Sequence, residues 1–306
     1  MTLPFDGSTG RPDVPAPSTP TLTNPRSDRV KAVRALSGRS ARLRTGRYLV
    51  EGPQAVREIV RFRPEEVVDL YLTPGAGERY AEIVDAARAA EVFVHLVTAE
   101  VMETMSADAQ GLLVVAADRR PTAGTESVGW LRDVLARGPR LVAVLAHVRD
   151  PGNAGTVIRA ADAAGADVVV LTESSVEVTN PKVVRSTAGS LFHIPVVTGV
   201  TLADVVAASH GAGLTVLAAD GAGTVMLDDL LAGAGVVGAA RDEVPTAADL
   251  TSPTAWVFGN EAWGLTEEER ALADEVVRVP IHGHAESLNL GTAATVCLYA
   301  SAFAQR

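Results

Sequence analysis

The stretch LVAVLAHVRDPGNAGTVIRAADAAGADVVVL, residues 141–171, holds one complete unit of the architecture. Leu141 to Ala146 is an unbroken apolar run, which suits a strand buried on both faces. A glycine-bearing loop from Asp150 to Gly155 follows it. Ala154 to Ala164 then places small apolar residues at helical spacing, and Asp167 to Leu171 opens a second apolar strand. Strand, helix and strand in so few residues predict parallel pairing through a crossover helix. The pattern continues downstream, with strands at Leu214 to Ala218, Ala255 to Phe258 and Val276 to Val279. Helices at Leu202 to Ser209, Glu267 to Ala273 and Leu290 to Phe303 alternate with them. Residues 140–306 are therefore expected to form an α/β domain whose mostly parallel sheet is covered on both faces. Leu231 to Pro253, glycine- and alanine-rich early and acidic later, reads as a surface insertion.

A smaller α/β unit precedes this domain, over residues 26–119. Its predicted order is a basic helix (Asp28 to Arg39), a strand (Arg47 to Val50), a helix (Gln54 to Phe62) and a strand (Val67 to Leu72). A helix (Glu78 to Ala90), a strand (Val92 to Val97), a short helix (Ala99 to Met105) and a closing strand (Leu112 to Ala117) complete it. Pro121, Gly124, Gly129, Gly138 and Pro139 interrupt the pattern around a short helix, so residues 120–139 read as a linker. Residues 1–25 are rich in Pro, Ser, Thr and Gly and are expected to be a disordered tail.

With 306 residues, 47% of them hydrophobic, the chain has room for two cores. The start carries no signal-peptide pattern and no apolar run is long enough to span a bilayer, which points to the cytoplasm. The one cysteine, Cys297, sits in an apolar run and reads as a small buried hydrophobe. A net charge of −10 argues against a polyanionic partner only until its distribution is considered. Between Arg26 and Arg63 eleven basic residues face three acidic ones, and arginine outnumbers lysine ten to one. A solvated helix face is one explanation, but the planar guanidinium fork suits phosphate, and nucleic acid is the favoured partner.

Three loops carry polar and glycine residues that packing does not require. In DPGNAGTVIR (Asp150 to Arg159), Asn153 is a candidate helix cap, and Arg159 lies among small apolar residues, so its charge should face a pocket or an acidic partner. In VFGNEAWGL (Val257 to Leu265), Gly259 and Gly264 permit close backbone approach to a ligand, and Glu261 adds an acceptor. In VPIHGHAESLNLG (Val279 to Gly291), Ser287 and Asn289 suit a cap or a functional contact equally well. His282-Gly-His284 with Glu286 lacks the separate third and fourth ligands of a metal site, so no metal is expected.

The segments NAGTVIR (153–159), FGNEAWGL (258–265) and SLN (287–289), in this order, resemble the signature of the SpoU/TrmH-type RNA 2′-O-ribose methyltransferases of the SPOUT class. Asn180 to Pro195 also resembles that family's connecting segment. The resemblance implies a C-terminal α/β domain tied in a trefoil knot, an exception to the rule that chains do not thread loops. It implies a ribosomal-protein-like RNA-binding domain before it, and a homodimer packed through helices near the knot. S-adenosylmethionine is the implied cofactor, held by Leu217, Ala218, Ala219, Gly259, Asn260, Val279, Ile281 and Leu288. The implied catalytic set is Asn153, Arg159, Glu261, Ser287 and Asn289. RNA contacts are expected from Arg39, Arg42, Arg44, Arg47, Lys182 and Arg185, with ribosomal RNA, 23S in particular, ahead of transfer RNA.

Because a guanidinium stays protonated, Arg159 is expected to orient the ribose or its phosphate and to stabilise developing charge. Joint acceptance of the proton by Arg159 and a substrate phosphate is the alternative. Two other classes compete. A binding module without catalysis fits poorly with the presence of Arg159, Glu261 and Asn289, and a nucleotide-dependent oxidoreductase lacks its G-x-G-x-x-G loop.

Overall fold

Residues 20–121, 123–236 and 248–306 are described by the computed structural model. The N-terminal unit runs α1 (Asp28–Ala35), α2 (Arg39–Thr45), β1 (Arg47–Glu51), α3 (Pro53–Phe62), β2 (Val67–Leu72), α4 (Pro74–Arg79), α5 (Ala81–Ala89), β3 (Val94–Leu96), α6 (Ala99–Met105) and β4 (Leu112–Ala117). Its four strands lie in the order β1-β4-β2-β3. The basic helix expected over Asp28 to Arg39 is two helices. Ser27 caps the first, and the second ends at Gly46 in the left-handed conformation. The tail boundary at residue 25 also moves. Thr21 and Leu22 donate backbone hydrogen bonds to Leu96, and Leu22 bridges to Val97, so this stretch extends the β3 edge. Residues 1–19 of the expected tail lie outside the described residues.

The C-terminal unit comprises α7 (Gly124–Leu135), β5 (Leu141–Leu145), α8 (Pro151–Ala164), β6 (Val168–Thr172), α9 (Pro181–Ser186), β7 (Val196–Val200), α10 (Leu202–Gly211), β8 (Thr215–Ala219), β9 (Val225–Met226), α11 (Leu227–Gly233), β10 (Thr254–Phe258), α12 (Glu267–Arg270), β11 (Glu275–Arg278) and α13 (Leu290–Ala304). Seven strands pair in the order β7-β6-β5-β10-β8-β11-β9, and every pairing is parallel. Alternation along β5 shows why both faces are covered. Leu141, Ala143 and Leu145 pack with α8 and α13 residues, whereas Val142 and Val144 pack with Leu131, Val134 and Val205 of α7 and α10. The stretch read as a linker is thus largely α7, a covering helix of the sheet. The insertion at Leu231 to Pro253 begins inside α11 and returns with the buried Leu250; residues 237–247 lie outside the described residues.

Two features of this arrangement position the loops. Strand β10 lies between β5 and β8, both of which precede it in the chain, so the loops leaving β8 and β10 come side by side at one edge of the sheet. The two units also share a core. Tyr48, Val50 and Ile59 of the first join Val183, Val184 and Phe192 of the second in one buried cluster.

Candidate functional site

At the C-terminal edge of the sheet, loops following β8, β10 and β11 enclose a cavity of about 480 Å³ with the start of α8. Ala219, Val279, Ile281, Leu288 and Ala293 give it apolar walls; Asp220, Asn260, Glu261 and Asn289 give it a polar side. Its size falls within the range of small-ligand pockets, and an apolar slot edged by carboxylates suits a flat heterocycle carrying a nearby positive charge.

Three loops are joined by one chain of hydrogen bonds. Asn289 Nδ2 donates to Asn153 Oδ1 at 3.0 Å, and Asn153 Nδ2 donates to Glu261 Oε1 at 3.3 Å. Glu261 also accepts from the backbone N–H groups of Asp150, at 3.1 Å, and Arg149, at 3.3 Å. The carboxylate therefore clamps the entry of α8 to the loop after β10. Asp150, not Asn153, caps α8, by accepting from the Asn153 N–H at 2.8 Å, which frees the Asn153 amide for this relay. Asn289 caps α13 as well as joining the relay. Ser287 lines the cavity with its hydroxyl unpaired among the described residues.

Gly259 lines the cavity, as close backbone approach to a ligand requires, and has a second reason besides. A Cβ there would lie 2.4 Å from the Gly264 carbonyl carbon, so glycine permits the loop to fold back on itself and does not simply leave room for a ligand. Asn260 holds the same loop from below, donating from Nδ2 to the His147 carbonyl at 2.7 Å. His147, in the left-handed region at φ 54°, is pinned in turn by Glu269 and by the Glu173 carbonyl.

Leu217 and Ala218 are fully buried in β8 and do not line the cavity; only Ala219, at the end of that strand, reaches it. Asp220, Gly221 and Arg278 line it too, and sequence reasoning passed over them. The signal for the first two was an acid and a glycine directly after an apolar strand. Arg159 is exposed on α8, does not line this cavity and has no ion pair among the described residues. Its neighbours explain why. Gly155 packs against α9 and Thr156 against α13, so a residue three or four positions later points outward between those two helices. Val296 and Phe303, 40% and 52% exposed, lie on the outer face of α13. His282 and His284 stand exposed in the loop after β11. Cys297 is buried, and burial pushes its thiol upward, away from the thiolate form.

The expected phosphate ligands divide into two groups. Arg39, Arg44, Arg47 and Lys182 are exposed, Arg39 with its Nε 3.6 Å from Glu177. Arg42 is 5% exposed and is corrected to a tie between the units. It donates Nε and Nη2 to the two Glu177 oxygens at 3.0 and 3.1 Å, and Nη1 to the Leu36 and Ser37 carbonyls. Burial pushes Glu177 up, but the hydrogen bonds from Arg42 and Thr179 outweigh it and hold the carboxyl below its usual range. Arg185 is corrected in the same way: it pairs with the buried Glu51 of β1 and with Asp108 at 3.0 Å. A third tie was not foreseen. His193 bridges Asp162, at 2.8 Å, and Glu58 of α3, at 3.1 Å.

Comparison with known proteins gives these features a context. Residues 140–299 match the model of the SpoU rRNA methylase family, and residues 49–122 match that of the RNA 2′-O ribose methyltransferase substrate-binding domain. The 23S rRNA (guanosine-2′-O-)-methyltransferase RlmB of Bordetella pertussis is 30% identical over 256 residues, covering 83% of this chain and 96% of that protein. The AdoMet-bound rRNA methyltransferase from Sinorhizobium meliloti superposes with a TM-score of 0.73 at 27% identity, over 92% of this chain and 96% of its own. The SpoU methyltransferase AviRb from Streptomyces viridochromogenes, in complex with the cofactor AdoMet, gives 0.70 at 27% identity, over 90% and 98%.

Proposed function

The chain belongs to the SpoU rRNA methylase family, and on that premise we propose that it transfers a methyl group from S-adenosylmethionine to a ribose 2′-hydroxyl of RNA, with 23S ribosomal RNA as the substrate. The observation that carries this reading is the relay Asn289–Asn153–Glu261, which joins the three motif loops around one cavity. Bound there, S-adenosylmethionine supplies an activated methyl group. The apolar walls at Val279, Ile281 and Leu288 suit its adenine, and Asp220 and Glu261 suit its positive charge.

The chain's own work is alignment. Glu261 has its oxygens engaged by the α8 entry, so its role is to fix the loops, and it is not the proton acceptor. Ser287 offers a free hydroxyl to the ribose at the cavity wall. Arg159 binds the phosphate beside the reacting ribose and stabilises the charge that develops on the 2′-oxygen. Being exposed and directed away from its own cavity, it serves this role where a second copy packs on the outer face of α8 and α13. The exposed Val296 and Phe303 favour such a homodimer. Ribosomal RNA as substrate places the enzyme in the cytoplasm; among the described residues no helix is long and apolar enough to cross a membrane.

Adding S-adenosylhomocysteine is expected to raise the melting temperature, whereas NAD leaves it unchanged. A shift with NAD alone would return the molecule to the oxidoreductase class.

A further inference from the structure

Two side chains on loops next to residues that line the cavity have no task within the described part of the chain. Trp263 is 51% exposed at the tip of the loop 260–264, which Asn260 and Gly264 close with paired backbone hydrogen bonds of 3.0 and 2.9 Å. That loop is already held by Asn260 and Glu261, so its indole is not needed to hold it. Arg149, on the loop entering α8, places its guanidinium carbon 5.2 Å from the indole centroid. Its side chain is exposed and has no carboxylate partner among the described residues.

With Arg149 over it and half of its surface still exposed, the indole keeps room for another flat group to stack. Single-stranded nucleic acid is held by this combination of an aromatic face and a neighbouring arginine. Position settles which part of the strand is involved. Residues on either side of Trp263, namely Asn260, Glu261 and Gly264, line the cavity, so a base resting on the indole belongs to the strand whose ribose enters it. We propose that Trp263 and Arg149 form a stacking platform that holds an unpaired base of the RNA beside the reacting ribose, with Arg149 also taking the adjoining phosphate. This inference rests on the methyl transfer proposed above. It makes Trp263 a positioning residue, one that keeps the strand splayed so that a 2′-hydroxyl is presented.

The test uses the full chain saturated with S-adenosylhomocysteine. Binding of fluorescein-labelled, single-stranded hexa-adenylate is compared with that of a hexamer of the same backbone lacking bases. The parent should favour the adenylate by about fivefold or more. Trp263→Ala should lose that preference, and Trp263→Phe, which keeps a flat face, should retain most of it. With RNA substrate, Trp263→Ala should raise KM more than it lowers kcat, and the thermal shift from S-adenosylhomocysteine should be the same in all three proteins. Equal base preference in the parent and Trp263→Ala overturns the platform. So does an indole already shielded from acrylamide in the RNA-free protein, judged against Trp263→Phe, since a second copy of the chain would then cover it. Base preference that depends on Trp263 without any S-adenosylhomocysteine shift would uphold the platform and overturn the methyl transfer instead.

Discussion

Asn153 shows what a single residue contributes to this site and how little of that its neighbours in sequence reveal. Its place after Pro151-Gly152 suggests a cap, yet the capping oxygen comes from Asp150, and the Asn153 amide bridges residues more than a hundred positions away. Asn153→Ala removes both ends of that bridge. The expected outcome is at least a tenfold loss of S-adenosylhomocysteine affinity by calorimetry, with the melting temperature of the ligand-free protein lowered only slightly, because the relay is partly exposed. Unchanged affinity would show that the relay does not shape the cavity. Arg159→Ala should do the reverse, keeping cofactor affinity within a few-fold while losing most methyl transfer, and Arg159→Lys should rescue little because it lacks the planar fork. Near-parental turnover would remove Arg159 from the mechanism. The glycine at 259 was legible as a necessity on the cavity wall, but the fold of its own loop was not: a side chain there would also meet the Gly264 backbone.

Among the elements, strands buried on both faces were the most legible, because β4, β5 and β10 are largely apolar runs whose length matches their span. Elements that depend on distant partners were not. Strand β7, with Gly199 at φ 73° and a register shift against β6, has the local character of a turn, and the two residues of β9 exist only by pairing with β11. Helix α2 makes the same point through its arginines. Arg39, Arg42 and Arg44 look alike in sequence, but Arg42 shares the buried face with Ala41 and finds Glu177 135 residues away. The RNA footprint is therefore tested with Arg39, Arg44 and Arg47 and not with Arg42. Neutralising these three together should weaken RNA binding and flatten the slope of log affinity against log salt by about 0.7–0.9 for each phosphate that is no longer neutralised, with cofactor binding intact. An unaltered slope would make the cluster a solvated face. On α13, Phe303→Glu should shift the protein from dimer to monomer in sedimentation; a monomeric parent would contradict the proposed pairing.

For the whole molecule, the two units behave as one body because core and charge both cross between them. Arg42, Arg185 and His193 each reach from one unit to the other. Arg42→Ala should lower stability by about 2 kcal/mol in denaturant unfolding, since it strands a half-buried carboxylate and two carbonyls. Burial opposes the charge on His193, but the carboxylates of Asp162 and Glu58 prevail and raise it above the ordinary histidine range. A group raised on folding contributes fully below the ordinary value, near pH 6.5, and that contribution fades as pH climbs through the higher folded value. The melting-temperature gap between the parent and His193→Gln should therefore be wider at pH 6 than at pH 8, and an equal gap at both would deny the ion pair its role. None of these ties was legible in the sequence, because each joins residues more than 130 positions apart. The alternation of strands and helices and the three motif segments were legible because their patterns are local. Methyl transfer to a ribose is checked by incubating the protein with S-adenosylmethionine labelled in its methyl group and a 23S ribosomal RNA transcript, then hydrolysing the RNA in alkali. Transfer to the 2′-oxygen blocks cleavage at that nucleotide, so the label should appear in an alkali-resistant dinucleotide and be lost in Arg159→Ala; label recovered in mononucleotides, on a base, would rule out ribose methylation.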